Sequence, residues 1–279
     1  MQATTLYEGE ALSVYSYRCS AGPADRPFAE VHQRHSLSYV RRGSFGCRTL
    51  GAEHELTAGA VMIGRPGREY VATHAHHCGG DECLSVKLSP ELAESLGGES
   101  LWRLARVPPL PELVVLAELA QAAAEGRAAI GIDEAVVAFA GKCAHAASGR
   151  DARPAGDARA RRRAVEAARW LEAHTAEPVR LEDVAREAHL SPFHFLRVFR
   201  AVHGVTPHQY LLRLRLARAA SLLADETLSV TDVALESGFA DLSNFVRTFR
   251  RAAGASPGQF RRKARRLRKN VQVRLALAA

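Results

Sequence analysis

Two groups of side chains in this sequence could do chemistry. The first is the run THAHHCGGDEC, which holds His74, His76, His77, Cys78, Asp81, Glu82 and Cys83. Neutral imidazoles and thiolates are ligands for borderline and soft ions such as zinc or copper. His74 and His76, two apart on a strand, would share a face. The candidate metal set is His74, His76, Cys78 and Cys83. His32 and His35 lie upstream, but three apart they leave a regular strand on opposite faces. The plain alternative is a surface loop that gathers histidine without binding anything. A thiol switch at Cys78 or Cys83 would need thiolate stabilisation that no pattern here supplies. No catalytic set is assigned, and no cofactor.

The second group is a set of arginines and apolar residues that occurs twice. EAHLSPFHFLRVFRAVHGVTPHQY, from Glu187 to Tyr210, is followed by ESGFADLSNFVRTFRRAAGASPGQF, from Glu236 to Phe260. Asp183-Val184-Ala185 matches Asp232-Val233-Ala234 at an offset of 49, and Phe195-Leu196-Arg197 matches Phe245-Val246-Arg247 at 50. The extra residue falls between Phe239 and Phe245, where a turn leads into a helix. Two copies are too few for a solenoid, so a duplicated small module is the better reading.

The elements that must position these side chains are short helices. Leu181, Val184, Ala185 and Ala188 share one helical face. Ser191 is a good N-cap and Pro192 suits the first helical position, so a second helix opens there and ends before Gly204. Two short helices with a tight turn are a helix-turn-helix. His189 takes the turn position in the first copy and Gly238 in the second; histidine is enriched at positive φ. With Phe195 and Phe199 facing inward, the outward face carries Pro192, Phe193, Leu196, Arg197 and Arg200. The second copy presents Leu242, Ser243, Val246, Arg247 and Arg250. Arg197 and Arg247 could pair bidentately with guanine O6 and N7, and the apolar residues could meet thymine methyls. Burial of those apolar residues against neighbouring helices is the competing reading. Between the copies, Pro207–Ser229 keeps helical spacing, and a joining helix of about 18 residues would be about 27 Å long at 1.5 Å per residue. That would set two readers roughly one DNA turn, about 34 Å, apart.

Charge divides the chain. Ala158–Ala279 holds 23 Lys+Arg against 11 Asp+Glu, net +12; Met1–Asp157 holds 15 against 19, net −4. A basic half of this kind suits a polyanion partner, because binding releases condensed counterions. SGRDARPAGDARA, Ser148–Ala160, reads as a flexible linker. The basic run RRKARRLRKN, Arg261–Asn270, could add phosphate contacts. No apolar run is long enough to span a membrane. The five cysteines show no framework spacing, which fits free thiols in a reducing cytosol. The opening MQATTLYEGEALSVY shows no secretory-signal pattern. The expectation is a cytoplasmic protein at the nucleoid.

Residues Arg161–Arg262, with VALESGFADLSNFVRTFRRAAGASPGQFR as the most specific stretch, resemble the DNA-binding domain of AraC family transcription regulators. That resemblance implies seven helices and base-reading positions at Phe193, Leu196, Arg197, Leu242, Ser243, Val246 and Arg247. Upstream, SLSYVRRGSFGCRTLG, HELTAGAVMIGRPGREYVATH and ECLSVKLS alternate with period two between Gly and Pro-Gly turns, as in a small antiparallel barrel. HQRHSLSYVRRGSF and LTAGAVMIGRPG resemble the cupin-like sensor domain of many such regulators. Two helices should follow, Pro111–Glu125 and Ile132–Ala147.

The expected fold is thus α+β. A cupin-like β-barrel with two following helices (1–147) precedes a linker (148–160). An all-α domain with two helix-turn-helix units (161–262) and a basic tail (263–279) follow. The function implied is transcription regulation on double-stranded promoter DNA, under a small-molecule effector held in the barrel. Expected partners include a homodimer mate and, for an activator, RNA polymerase. Two alternatives stand beside it: a metal cupin enzyme fused to a DNA-binding module, and a regulator whose ligand-free barrel only assembles a dimer. The usual cupin metal pattern fails here, with Tyr39 near where its Glu would stand.

Overall fold

The computed structural model describes residues 1–96, 99–128, 130–147, 157–224 and 227–264. Nine strands come first: β1 (Gln2–Glu8), β2 (Leu12–Cys19), β3 (Phe28–Val31), β4 (His35–Thr49), β5 (Ala52–Thr57), β6 (Val61–Gly64), β7 (Glu69–Thr73), β8 (Asp81–Leu88) and, after two short helices, β9 (Arg106–Val107). Those helices are α1 (Pro90–Ser95) and α2 (Glu99–Arg103). Longer ones follow: α3 (Pro111–Ala124), α4 (Ile132–Ala147), α5 (Ala158–Ala173), α6 (Leu181–Glu187), α7 (Pro192–His203), α8 (Pro207–Ala224), α9 (Val230–Glu236) and α10 (Leu242–Ala253). Residues 257–264 are also helical. The expected helices after the strands, and the joining helix from Pro207, fall where the sequence pattern placed them.

The N-terminal sheet is not a closed barrel, which corrects the cupin-like expectation. Its strands run in the order β1-β2-β8-β4-β6-β9, while β5 and β7 pair with the far half of β4, and β3 pairs with β7. Among the described residues, no path of hydrogen-bonded neighbours returns to its start. A barrel needs such a ring to remove its edges; here β1, β9, β3 and β5 remain as edges. The physical cause lies in β4. Its first half pairs with β8 and β6, and its second half with β5 and β7. The two halves are separated by a register shift between Val40 and Arg42 and by Gly43 at φ +69°. One bent strand therefore serves two open sheets. Alternation alone reports strands that are buried on one face, and an open pair of sheets satisfies it as well as a ring does.

The period-two pattern does assign the faces. Leu37, Tyr39, Leu84, Val86 and Leu88 point to a core completed by Leu113, Val114 and Leu119 of α3 and by Val136 and Phe139 of α4. The opposite residues, Ser36, Ser38, Asp81, Cys83, Ser85 and Lys87, line a cavity of about 240 Å³ that Phe28 and Tyr70 of the second sheet and His74 just beyond β7 also border.

The helix-facing core does not stop at the end of the N-terminal half. Leu216, Ala219, Ala220 and Leu223 of α8, and Phe245 and Phe249 of α10, belong to the same buried cluster. α3 lies against α4, α8 and α10. The linker expectation falls mostly on 148–156, outside the described residues; Ala158–Ala160 open α5, capped by the Asp157 carboxylate, which accepts the Ala160 N–H at 2.8 Å. The basic tail beyond Ala264 also lies outside the described residues.

Candidate nucleic-acid interface

Both repeats fold as a pair of helices meeting through a left-handed turn residue. In the first unit α6 ends at Ala188, His189 sits at φ 51°, and α7 begins after Ser191. In the second, α9 ends at Ser237, Gly238 sits at φ +85°, and α10 begins after Asp241. Both second helices close on a left-handed glycine, Gly204 and Gly254. Phe195 and Phe199 are fully buried, as are Phe245 and Phe249. Each aromatic pair is one helical turn apart, so the side of α7 and α10 opposite these rings is turned outward.

The residues expected as readers lie on this outward side. Pro192, Phe193, Arg197 and Arg200 are exposed, with Leu196 half-buried. Leu242, Ser243, Arg247 and Arg250 are exposed in the second unit, and Val246 is half-buried against the core. Phe193 is 79% exposed, so the burial alternative fails at that position. The Arg247 guanidinium lies 3.3 Å from the Asn244 side-chain oxygen. Each outward face starts at the N-terminal end of its helix, where unpaired backbone N–H groups and the helix dipole favour an anion.

A buried polar network ties the first unit to the sheets, and the sequence analysis missed it. Arg106 donates to the carbonyl of Glu55 at 3.1 Å and to that of Val202, near the end of α7, at 2.6 Å. Burial lowers its pKa to about 10, with Glu55 opposing the shift. His203 bonds the Ala164 carbonyl through Nε2 at 3.0 Å, so that nitrogen carries the proton. Its Nδ1 then accepts from Thr57 at 3.4 Å. Burial holds this imidazole down, to about 4. Glu53 and Glu55 pair with Arg161 of α5 at 2.5 and 3.3 Å. The Gly43 N–H donates to the Glu172 carboxylate, whose oxygens lie at 3.1 and 3.2 Å. Burial raises that carboxyl to about 7, against the bond from Gly43. Only the placement of charges within apolar runs hinted at these contacts, as in LARVPPL and ARWLEAH.

The histidine- and cysteine-rich run is split by the fold. His74 lies beyond the end of β7, in a turn closed by the His77 N–H to the His74 carbonyl at 2.9 Å, so His74 and His76 do not share a strand face. His74 is buried, His76 half-buried, Cys78 exposed and Cys83 buried on β8. His77, not assigned by sequence, bonds Ser44 at 2.8 Å and Glu55 at 2.9 Å and pins the turn. Burial pushes the Glu55 carboxyl up, but the bond from His77 leads a set of contacts that bring it below its ordinary value. Burial holds the Cys83 thiol well above its ordinary range. His32 stacks on Tyr70 and His35 against Trp102, each at 4.5 Å. Tyr39 faces Glu118 in the helix-side core, away from the cavity. Among the described residues, the three ligand types that converge are Cys19, His74 and Asp81.

Comparison with known proteins bears on the repeated region. Residues 184–263 match the family model of a helix-turn-helix domain. The chain is 42% identical over 92 residues to the HTH-type transcriptional activator RhaS of Escherichia coli O139:H28, covering 33% of each chain. It is 33% identical over 95 residues to the regulatory protein PocR of Salmonella typhimurium, covering 34% of this chain and 31% of PocR. The matches thus span about a third of these curated relatives. Among solved structures, a transcriptional regulator with an AraC-type DNA-binding domain from Chromobacterium violaceum is 29% identical. It covers 39% of this chain and 98% of its own, at a TM-score of 0.37.

Proposed function

We propose that this protein is a transcription regulator of the AraC type that binds double-stranded promoter DNA by sequence. The observation that carries this is the repeated outward face: Arg197 and Arg200 on α7, Arg247 and Arg250 on α10, each exposed beside an exposed apolar residue. In this reading α7 and α10 enter successive major-groove segments. The 18-residue α8 joins them. Arg197 and Arg247 pair with guanine; Phe193, Leu196, Leu242 and Val246 meet thymine methyls; Ser243 adds a polar contact; Arg200 and Arg250 meet the outer edge of the site. The relatives, a transcriptional activator and a regulatory protein, support the same class.

The N-terminal half carries the control. A small-molecule effector occupies the cavity between the two open sheets, and the Arg106, His203 and Glu172 contacts transmit its presence to α5 and α7 by favouring one arrangement of the two halves. As an activator it would contact RNA polymerase, and a homodimer would double the site. The test is genome-wide mapping of bound DNA in the native host, followed by anisotropy titrations on the sites found. A few sharp peaks sharing a motif about two helical turns long are expected. Arg247→Ala should weaken the specific site by about 1–3 kcal/mol and relax one base pair. Unchanged specific binding in both Arg197→Ala and Arg247→Ala would overturn the assignment of readers.

A further inference from the structure

We propose that Cys19, His74 and Asp81 form a binding site for a borderline-soft divalent transition ion, with zinc the best match. One ligand atom from each lies within 4.8 Å of the other two. The backbone sets this meeting. Cys19 and Asp81 are direct partners in the antiparallel register of β2 and β8. Their side chains therefore leave the same face, toward the cavity. Gly80, at φ +72°, lets β8 begin tightly against that position: a Cβ there would lie 1.9 Å from the Cys19 carbonyl oxygen. His74 arrives from the other sheet, on the turn that His77 pins to Ser44 and Glu55. Its Nε2 is 3.7 Å from the Cys19 sulfur.

His74 is only 2% exposed, and its Nδ1 has no hydrogen-bond partner. The nitrogen that faces the site is Nε2, beside the Cys19 sulfur, and coordination through it places the proton on Nδ1. The donor set then selects the ion. Thiolate, imidazole and carboxylate together are a zinc set, whereas magnesium and calcium prefer oxygen alone. Three protein ligands leave a tetrahedral ion one open position. Here that position meets the cavity, where Lys87 lines the same face of β8. A water or a small anion completes the coordination. On binding, Cys19 releases its proton to solvent and coordinates as thiolate. Of the metal set read from sequence, His74 alone belongs to this site.

The site is tested by titrating the metal-free, full-length protein with Co²⁺ under reducing conditions. One equivalent should produce a thiolate-to-cobalt charge-transfer band with tetrahedral d–d bands, and excess Zn²⁺ should displace it. Cys19→Ser should remove the charge-transfer band. His74→Ala and Asp81→Asn should each weaken binding by more than the roughly tenfold to hundredfold typical of an outer-shell partner. Cys78→Ser should leave the titration unchanged. Zn²⁺ should also raise the unfolding temperature of the wild type and not of Cys19→Ser. If Cys19→Ser fails to fold, Asp81→Asn carries the test, since it keeps the thiol and loses affinity. No stoichiometric band in the wild type, a band that survives Cys19→Ser, or one lost in Cys78→Ser would overturn the proposal.

Discussion

The two helix-turn-helix units carry almost the same pattern, yet they are held by different means. The second unit is capped by its own residues. Ser229 and Asp232 form a reciprocal capping box at the start of α9, and the Asp241 carboxylate accepts the Asn244 N–H at 2.7 Å to start α10. The first unit lacks side-chain caps at both helices: Arg180 and Ser191 make no such bond. Its support comes from outside, through Arg106 on the Val202 carbonyl and Thr57 on His203. Their cores differ too. Phe195 and Phe199 belong to a separate cluster with Val184, Ala185 and Tyr210, whereas Phe245 and Phe249 join the cluster that runs into α3. A duplicated pattern thus fixes a shape without fixing what stabilises it. The N-terminal half reaches the first unit through buried polar contacts and the second through shared apolar packing.

The comparison can be broken or sharpened in several ways. The largest effect should come from the aromatic cores. Phe199→Ala and Phe249→Ala should each cost about 3–5 kcal/mol. In denaturant titrations, Phe199→Ala should unsettle the first unit ahead of the rest, while Phe249→Ala should lower the main transition. Equal, fully cooperative losses would erase the distinction between the clusters.

Next in size is Arg106→Met. It leaves two buried carbonyls without their donor, at about 1–3 kcal/mol each. Hydrogen exchange should rise in α7 and hardly change in α10. Equal rises in both helices would mean that the polar network does not single out the first unit.

The caps should separate more mildly. Ser229→Ala should cost about 1 kcal/mol, and Ser191→Ala close to nothing, since only the first removes a cap bond. Thermal unfolding of the two variants side by side checks this. A comparable loss in both would show that Ser191 caps α7 after all.

The smallest effect is a pH dependence. The Glu172 carboxyl is raised by burial from 4.5 to about 7. In this window the folded chain binds protons that the unfolded chain has released. Its contribution is fully present below about 4.5 and is lost as pH rises through about 7. Glu172→Gln keeps an acceptor for the Gly43 N–H and removes the charge. Its stability relative to wild type should therefore grow as pH rises across that window. A constant difference would mean that Glu172 does not titrate there.

Local chemistry along the chain was enough to place the repeated helices, their turn at His189 and Gly238, and the outward Arg197 and Arg247. Those features depend on residues within a turn or two of one another: helical spacing, a proline at the first helical position, a glycine at each end. Strand alternation likewise separated Leu84 and Val86 from Cys83 and Ser85. Whether the strands closed was a different matter, decided by the bend of β4 at Gly43 and by which edges found partners. The metal ligands divided the same way. His74 was visible in its run, but Cys19 lies 55 residues away and meets it only because β2 and β8 pair and the His77 turn folds over them. The Arg106 and Glu172 contacts also join residues far apart in the chain, and no short-range pattern encodes them. Short-range sterics can be read along a sequence, whereas burial of a charge against a distant carbonyl exists only once packing has brought the two together.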